Sequence, residues 1–485
     1  MSKSKYLRIL KIIGYILLVI YVVAVAGVLV YSTTLDMLPG KYLVMLGVIM
    51  AILGVIFAIM HERIMTSFIA SILTLVMILG CAIGAVYIRH TGDMIAEVSS
   101  SDFQTDVISV FVMKDDKAEK LEDVKDYQIG QAHSIDTTNT KKAVSKFEKD
   151  LGSKLKVNDY KTMFLMLDDL RSGKIGAIVI NEAYVGIASD VEGYDWAATE
   201  LKRVASMEYE VALDTQAEVP ADVPETFVMY LSGIDTYGGV SARSRSDVNI
   251  LAVVNTKTKD ILLLSTPRDA YLTYEQTGGA KDKLTHAGIY GVEASVDALE
   301  QLYGIDIDYY LRLNFTGFMD IIDALGGIDV YSDYKFTVEP IKTYEVGMNH
   351  LTGIEALAFA RERYSFEDGD FQRAKNQMEV IRALVQKAAS SSLLTNYRSV
   401  MNAVSGSFET SMPEEQISAL VKMQLSDMSQ WNVKSYTTGG TGKYAETFSM
   451  PGQQLYVIDL DSAAVEEAKK LIQEVYESEE TASEN

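Results

Sequence analysis

The chain has 485 residues, 48% of them hydrophobic and 23% charged, with one cysteine and a formal net charge of −22. That length leaves room for two or three folded units, and the lone Cys81 excludes an intrachain disulfide. Residues 1–90 hold seven Lys/Arg against only Asp36 and Glu62, so residues 91–485 carry −27, which disfavours bulk nucleic-acid binding because that rests on Lys/Arg neutralising phosphates.

In chain order, residues 12–31, 42–60 and 64–88 are apolar and free of charged side chains. Each is long enough for a bilayer crossing, which takes about 20 residues. A cleavable signal peptide would have a shorter apolar core, of roughly 7–15 residues. Lys3, Lys5, Arg8 and Lys11 precede the first span, so the positive-inside rule puts the N-terminus in the cytoplasm. His61-Glu62-Arg63 reads as a tight cytoplasmic turn. Three crossings then place the rest of the chain outside the cell, where ATP is not available as a donor. A polar stretch over 91–105 is expected to leave the membrane.

The next segment reads as a small α/β unit. It has a strand over 107–113, helices over 143–151 and 160–172, and a buried-type strand over 177–180. It carries no ligand motif and reads as a spacer or a protein-docking module. Pro220 and Pro224 among acids mark a linker. Beyond it, strand-length runs at 227–234, 248–254 and 261–264 alternate with helical patterns at 287–302, 316–325, 353–362, 372–389 and 413–429. Alternation of this kind implies an α/β domain with its sheet buried between helices. The domains expected are a membrane anchor (1–90), an accessory α/β domain (91–220), a catalytic domain (221–475) and an acidic tail (476–485).

In α/β sheets, functional residues cluster where strands end. Asp235 follows the first of these strands, Arg245 and Asp247 precede the second, and Arg268 follows the third. Arg361, Arg363, Asp370, Arg373 and Gln377 fall near helix ends. Mg²⁺ binds through one or two carboxylates and fills its other positions with water and phosphate oxygens; Mn²⁺ takes similar oxygen ligands. Arginine forks onto phosphate bidentately. Asp235 and Asp247 around a divalent ion, with Arg245, Arg268, Arg361, Arg363 and Arg373, would form a pyrophosphate site. Five buried cations would repel one another without a polyanion, so the arginines are expected to await a phosphorylated ligand. The plainer alternatives are a solvated Arg-x-Arg helix face and an Arg268–Asp269 pair at a strand end.

Residues 227–389 resemble the LytR-CpsA-Psr family of bacterial cell-envelope proteins. The likeness runs through Gly233-Ile234-Asp235, Arg245-Ser246-Asp247, Ser265-Thr266-Pro267-Arg268-Asp269 and Asp282-Lys283-Leu284-Thr285-His286-Ala287. It continues in Asn314-Phe315-Thr316-Gly317-Phe318, Leu351-Thr352-Gly353-Ile354-Glu355-Ala356-Leu357, Arg361-Glu362-Arg363 and Asp370-Phe371-Gln372-Arg373 with Gln377. The three-span start looks most like the family's streptococcal capsule-associated branch. The resemblance implies an α/β/α layered domain with a central mixed sheet. It also implies transfer of a polyprenyl-pyrophosphate-linked capsular polysaccharide, or a teichoic acid-like polymer, onto muramic acid of peptidoglycan. By carry-over, Asp235 and Asp247 are metal ligands. Arg245, Arg268, Lys283, Arg361, Arg363, Arg373 and Gln377 contact the pyrophosphate, and Arg245 and Arg268 act in catalysis. Asp370 is the candidate general base by position. Asn376 departs from the pattern, since many members have arginine there. Phe318, Ile321 and Ile322 suit a lipid channel or ordinary core packing. Two other readings are a polyprenyl-pyrophosphate hydrolase and a membrane-bound regulator of capsule expression.

Overall fold

Charge-free apolar sequence of this length favours helix, because only intra-segment hydrogen bonds satisfy the backbone in lipid. The computed structural model has three such helices, α1 (Lys3–Thr34), α2 (Gly40–Glu62) and α3 (Ile64–Ser99), each long and apolar enough to cross a membrane. Val19, Val44 and Val76 are more than half exposed on them, an arrangement that suits lipid rather than water. Inside the bundle the Tyr21 hydroxyl donates to the Met50 carbonyl at 2.7 Å. The polar stretch expected to leave the membrane after Thr91 continues α3 as far as Ser99. Met94 and Ile95 are buried on its inner side, and once a helix is nucleated each added residue costs little. The described residues are 3–99, 103–132, 136–213, 223–234, 240–367, 369–390, 399–400, 403 and 407–478. The expected linker around 218–225 lies outside them up to residue 222, as does the tail beyond 478.

The chain divides into two compact units. One comprises Met1–Ser99, Glu218–Pro224 and Met412–Gln430; the other comprises Ser100–Ala217, Glu225–Ser411 and Trp431–Asn485. The second holds two mixed sheets. The first sheet is built from β1 (Phe103–Met113), β2 (Gln128–Ala132), β3 (Lys156–Tyr160), β4 (Ala177–Asn181) and β5 (Leu201–Ala212), in the order β3-β2-β4-β1-β5. Helices α4 (Thr137–Leu151), α5 (Met163–Arg171) and α6 (Glu182–Ala188) flank it. Strand β4 shows why both faces are covered. Ile178 and Ile180 pack with Leu167, Leu170 and Ile187, whereas Ala177 and Val179 pack with Ala143 and Phe147, the period-2 alternation of a strand buried on both sides.

The second sheet uses β6 (Thr226–Ile234), β7 (Ser246–Asn255) and β8 (Asp260–Ser265). After the short pair β9 (Tyr271–Leu272) and β10 (Asp282–Lys283) come α7 (Leu284–Ala287), α8 (Val292–Tyr303) and β11 (Tyr309–Leu313). The helix expected over 287–302 is α8, which begins five residues later, after a short helix α7 that ends at Ala287. Gly288 and Gly291 separate them, and Gly291 has φ +125°, a conformation that suits only glycine. Helix α9 (Phe315–Ala324) leads to β12 (Ile328–Ser332), β13 (Phe336–Val338), β14 (Lys342–Tyr344) and β15 (Gly347–Leu351). Helices α10 (Gly353–Arg361) and α11 (Gly369–Ala388) follow, then β16 (Phe408–Thr410), α12 (Glu414–Asp427), β17 (Asn432–Thr437), β18 (Gly440–Thr447), β19 (Met450–Leu460) and α13 (Ser462–Tyr476).

The main sheet order is β16-β11-β6-β7-β8-β17. Tyr230, Leu251, Val253 and Leu264 face Ala298 and Leu299 of α8 and Val465 and Ile472 of α13. Ile250, Ala252 and Leu263 are buried on the opposite side, where α11 lies against β8 and β17. The result is the expected α/β/α layering with a central mixed sheet. Ile322 of α9 is fully buried with Ile328, Phe336 and Phe359, and Phe318 packs against that cluster. Core packing thus accounts for Ile322. In the other unit, Lys422 of α12 pairs with Asp36 at 2.7 Å.

Candidate active site

Strands β6, β8 and β17 run in one direction and β7 in the other. The ends of β6, β8 and β17 and the start of β7 therefore meet along one edge of the sheet. Their pairing contains a bulge, since Gly233 faces Val248 while Ile234 faces Ser246. Asp247 is the extra residue, and a bulge of this kind re-aims a side chain beside a site. Gly233 is required here because a Cβ would lie 2.7 Å from Val248 Cγ2. Beneath the bulge, the Tyr230 hydroxyl donates to Asn249 Oδ1 at 2.7 Å and Asn249 Nδ2 donates to the Ser246 carbonyl at 3.0 Å, so the segment is held from both ends.

A cavity opens at this edge, lined by Asp247, Asn249, Arg268, Asp269, Arg373 and Gln377 among others, with Phe371 of α11 on its wall. Arg268, one of the lining residues, lies 2.9 Å from Asp247 Oδ1, 3.7 Å from Asp269 Oδ2 and 3.9 Å from Asp190 Oδ1. Burial alone would lower its pKa, but the carboxylates of Asp247, Asp269 and Asp190 outweigh that and hold the guanidinium charged. For Asp247, burial would favour the neutral acid; Arg268, Arg245 and Arg373 overcome it and keep the carboxyl well below the usual carboxylate range. Thr285 Oγ1 also donates to Asp247 Oδ1, at 3.3 Å. Among the described residues, buried Arg268 Nε has no hydrogen-bond partner, leaving a donor that an anionic oxygen would satisfy.

The structure thus brings Asp247, Arg268, Arg373 and Gln377 to one cavity. Other expected residues lie around it. Lys283 is buried and pairs with Asp269 at 2.8 Å. Arg361, exposed at the end of α10, lies over the ring of Phe315, 4.3 Å from its centroid; Phe315 directly follows β11, which runs parallel to β6, so Arg361 belongs to the same edge. Arg363 stacks on Tyr364 at 4.7 Å and donates to its hydroxyl. Among the described residues, the cavity lining includes neither of these arginines. Asp235 and the side chain of Asp370 lie outside the described residues. Asn376 is buried, takes the Gln372 amide at 2.9 Å and donates to the Phe359 carbonyl at 3.3 Å, so it packs α11 onto α10 rather than lining the cavity. His286 is buried against Asp282 at 2.7 Å, a structural pair beneath β9 and β10.

Arg245 has a partner that the sequence did not announce. Its Nη1 lies 2.7 Å from Asp190 Oδ2, with the two side chains only 10% and 17% exposed. Asp190 follows α6 of the first sheet, in the segment expected to be a spacer. No local signal marks it, because it stands 55 residues before Arg245 and carries no motif. The expectation that the arginines repel one another until a polyanion arrives is corrected accordingly: Asp190, Asp247 and Asp269 already compensate Arg245, Arg268 and Lys283, and Arg361 is exposed. The Arg268–Asp269 pair foreseen as an alternative exists together with the cavity.

For a divalent ion, Asp247 offers an ionised, hard oxygen ligand at the cavity wall, its side chain 25% exposed. Among the described residues no group of three or more His, Cys, Asp or Glu could hold a metal by itself. An ion here would need Asp235 and ligand oxygens as well, which suits Mg²⁺ with phosphates.

A mixed α/β/α sheet thus carries an Arg–Asp cleft at its strand ends, in a chain that also has three apolar helices. A family model described as the LytR_cpsA_psr family matches residues 189–470, and the chain belongs to that family. A second model, a DNA polymerase processivity factor, matches residues 66–180, under a quarter of the chain. The chain is 38% identical over 202 residues to a Bacillus cereus protein named polyisoprenyl-teichoic acid–peptidoglycan teichoic acid transferase TagU, covering 41% of this chain and 65% of that protein. An Enterococcus faecalis protein of the same name is 33% identical over 199 residues, again 41% and 65%. The chain thus spans about two thirds of the length of these relatives. The crystal structure of TagV from B. subtilis covers 53% of this chain and 98% of its own, with 27% identity and a TM-score of 0.44.

Proposed function

We propose that this chain transfers a polyprenyl-pyrophosphate-linked glycopolymer onto peptidoglycan. The observation that carries the reading is the convergence of Asp247, Arg268, Arg373 and Gln377 on one cavity in a chain of this family. Relatives 33–38% identical bear the name of teichoic acid transferases, and the acceptor and donor classes come from them by analogy. A capsular polysaccharide is the finer alternative for the polymer.

In the reaction, the 6-hydroxyl of muramic acid attacks the phosphorus next to the sugar. The new O–P bond forms as the bridging P–O bond of the pyrophosphate breaks. Polyprenyl phosphate leaves with the bonding electron pair, and the hydroxyl proton passes to a base, for which Asp370 is the candidate. The energy is stored in the donor, so no ATP is needed. Phosphoryl transfer asks the protein mainly for positioning and charge neutralisation. Arg268, held by carboxylates of Asp247, Asp269 and Asp190, would present its guanidinium to a non-bridging oxygen, and Arg373 and Gln377 would orient the donor from α11. A divalent ion on Asp247 and Asp235 would neutralise the pyrophosphate. The basic N-terminal segment supports a cytoplasmic N-terminus and an extracytoplasmic site.

Arg268→Ala tests the reading, because removing one preorganised donor to a transition-state oxyanion costs roughly 10²–10³ in rate. Polymer covalently bound to purified peptidoglycan is expected to fall by that order while the variant stays in the membrane at wild-type level. Undiminished attachment would overturn the assignment.

A further inference from the structure

The first sheet reaches the candidate site through a buried carboxylate, Asp190. Asp190 Oδ2 lies 2.7 Å from Arg245 Nη1 and its Oδ1 lies 3.9 Å from Arg268 Nη2. Arg245 is laid along the surface of α6: a Cβ on Gly186 would stand 3.2 Å from its Nε. Its guanidinium thus runs toward the first sheet, and among the described residues Arg245 does not line the cavity. A second seam joins the same two sheets farther along β1. Arg243 lies 3.7 Å from Asp106, the Thr105 amide donates to the Ser241 carbonyl at 2.9 Å, and the Arg243 amide donates to the Thr105 carbonyl at 2.9 Å. Docking of the sheets therefore has contacts that do not involve the site. Asp190 is the one whose partner, Arg268, also holds Asp247.

We propose that Asp190 is a positioning residue for the transfer reaction, so that the N-terminal sheet completes the active site rather than serving as a spacer. The inference rests on the reading given under Proposed function. Asp190 fixes Arg245 against α6 and lies 3.9 Å from Arg268 Nη2, while Asp269 lies at its Nε, which sets where Arg268 can meet the donor. Without it, Arg245 loses the carboxylate 2.7 Å from its Nη1 while it stays close to Arg268, and like-charge repulsion shifts both guanidinium groups.

The test uses the full-length chain in membranes, with a short polyprenyl-pyrophosphate-linked oligosaccharide as donor and peptidoglycan as acceptor. Asp190→Asn is expected to lower kcat by roughly 10- to 100-fold, the range for residues that orient a site's ligands, with KM within about twofold of wild type. Asp190→Glu is expected to recover part of that loss. Asp106→Asn, which loosens the same docking away from the site, is expected to keep the wild-type kcat. Rates are read below the melting onset of each variant, so a loss of stability does not enter kcat. An Asp190→Asn chain with wild-type kcat, or one that loses no more than Asp106→Asn, overturns the positioning role and leaves the functional reading intact. A wild-type chain that transfers nothing overturns the functional reading, and the positioning role falls with it.

Discussion

At the residue scale, the site is a set of opposite charges held close together. Burial pushes the Asp190 carboxyl up, but Arg245 and Arg268 outweigh it and leave it below its ordinary value. Asp247 is depressed in the same sense by Arg268 and Arg245 against its burial. A carboxyl with a lowered folded-state pKa contributes stability above its unfolded value, about 3.9. It loses that contribution as pH falls from there toward the folded value. The urea midpoint of wild type minus that of Asp190→Asn is therefore expected to be flat between pH 8 and 5 and to shrink below about pH 4. A difference that already shrank between pH 8 and 6 would contradict the depressed value. Asp247, Arg268, Arg373 and Gln377 are legible in the sequence because each belongs to a short block with its own turn or helix end. Asp190 is not, because its meaning comes entirely from residues 55 and 78 positions away.

At the element scale, close approach of backbones fixes how the helices carry the site. Gly353 begins α10 with a capping box between Thr352 and Glu355, and a Cβ there would lie 2.3 Å from the Met319 carbonyl oxygen of α9. Gly353→Ala must separate the two helices, and overpacking of this kind costs about 1–3 kcal/mol. Thermal melting in detergent is expected to show the loss, with transfer falling too because Arg361 stacks between α10 and Phe315; an unchanged melting curve would contradict the contact. The strands at 227–234, 248–254 and 261–264 were readable from apolar runs of strand length. The bulge at Asp247 was not, since it depends on the register of β6 against β7. The start of α8 was placed too early for a related reason: the apolar spacing runs back across residues 288–291, where Gly288 and Gly291 break the helix.

At the scale of the whole molecule, the charge divides at the end of the apolar helices. Residues 1–90 are net basic and the remainder strongly acidic, which by the positive-inside rule supports the proposed cytoplasmic N-terminus. External protease added to intact protoplasts is expected to degrade the part beyond residue 100 and leave the three helices protected. Protection of the large unit would reverse the orientation. The sequence by itself determined the three apolar helices, the layered α/β class, the family and most of the arginines and carboxylates, because these follow from local patterns: hydropathy, strand-helix alternation and short motifs. Only the tertiary structure decided which charges compensate one another. The N-terminal sheet sends Asp190 to Arg245 and Arg268 across dozens of residues, and ion pairs of a few ångströms are set by how the two sheets dock, which no stretch of sequence encodes alone.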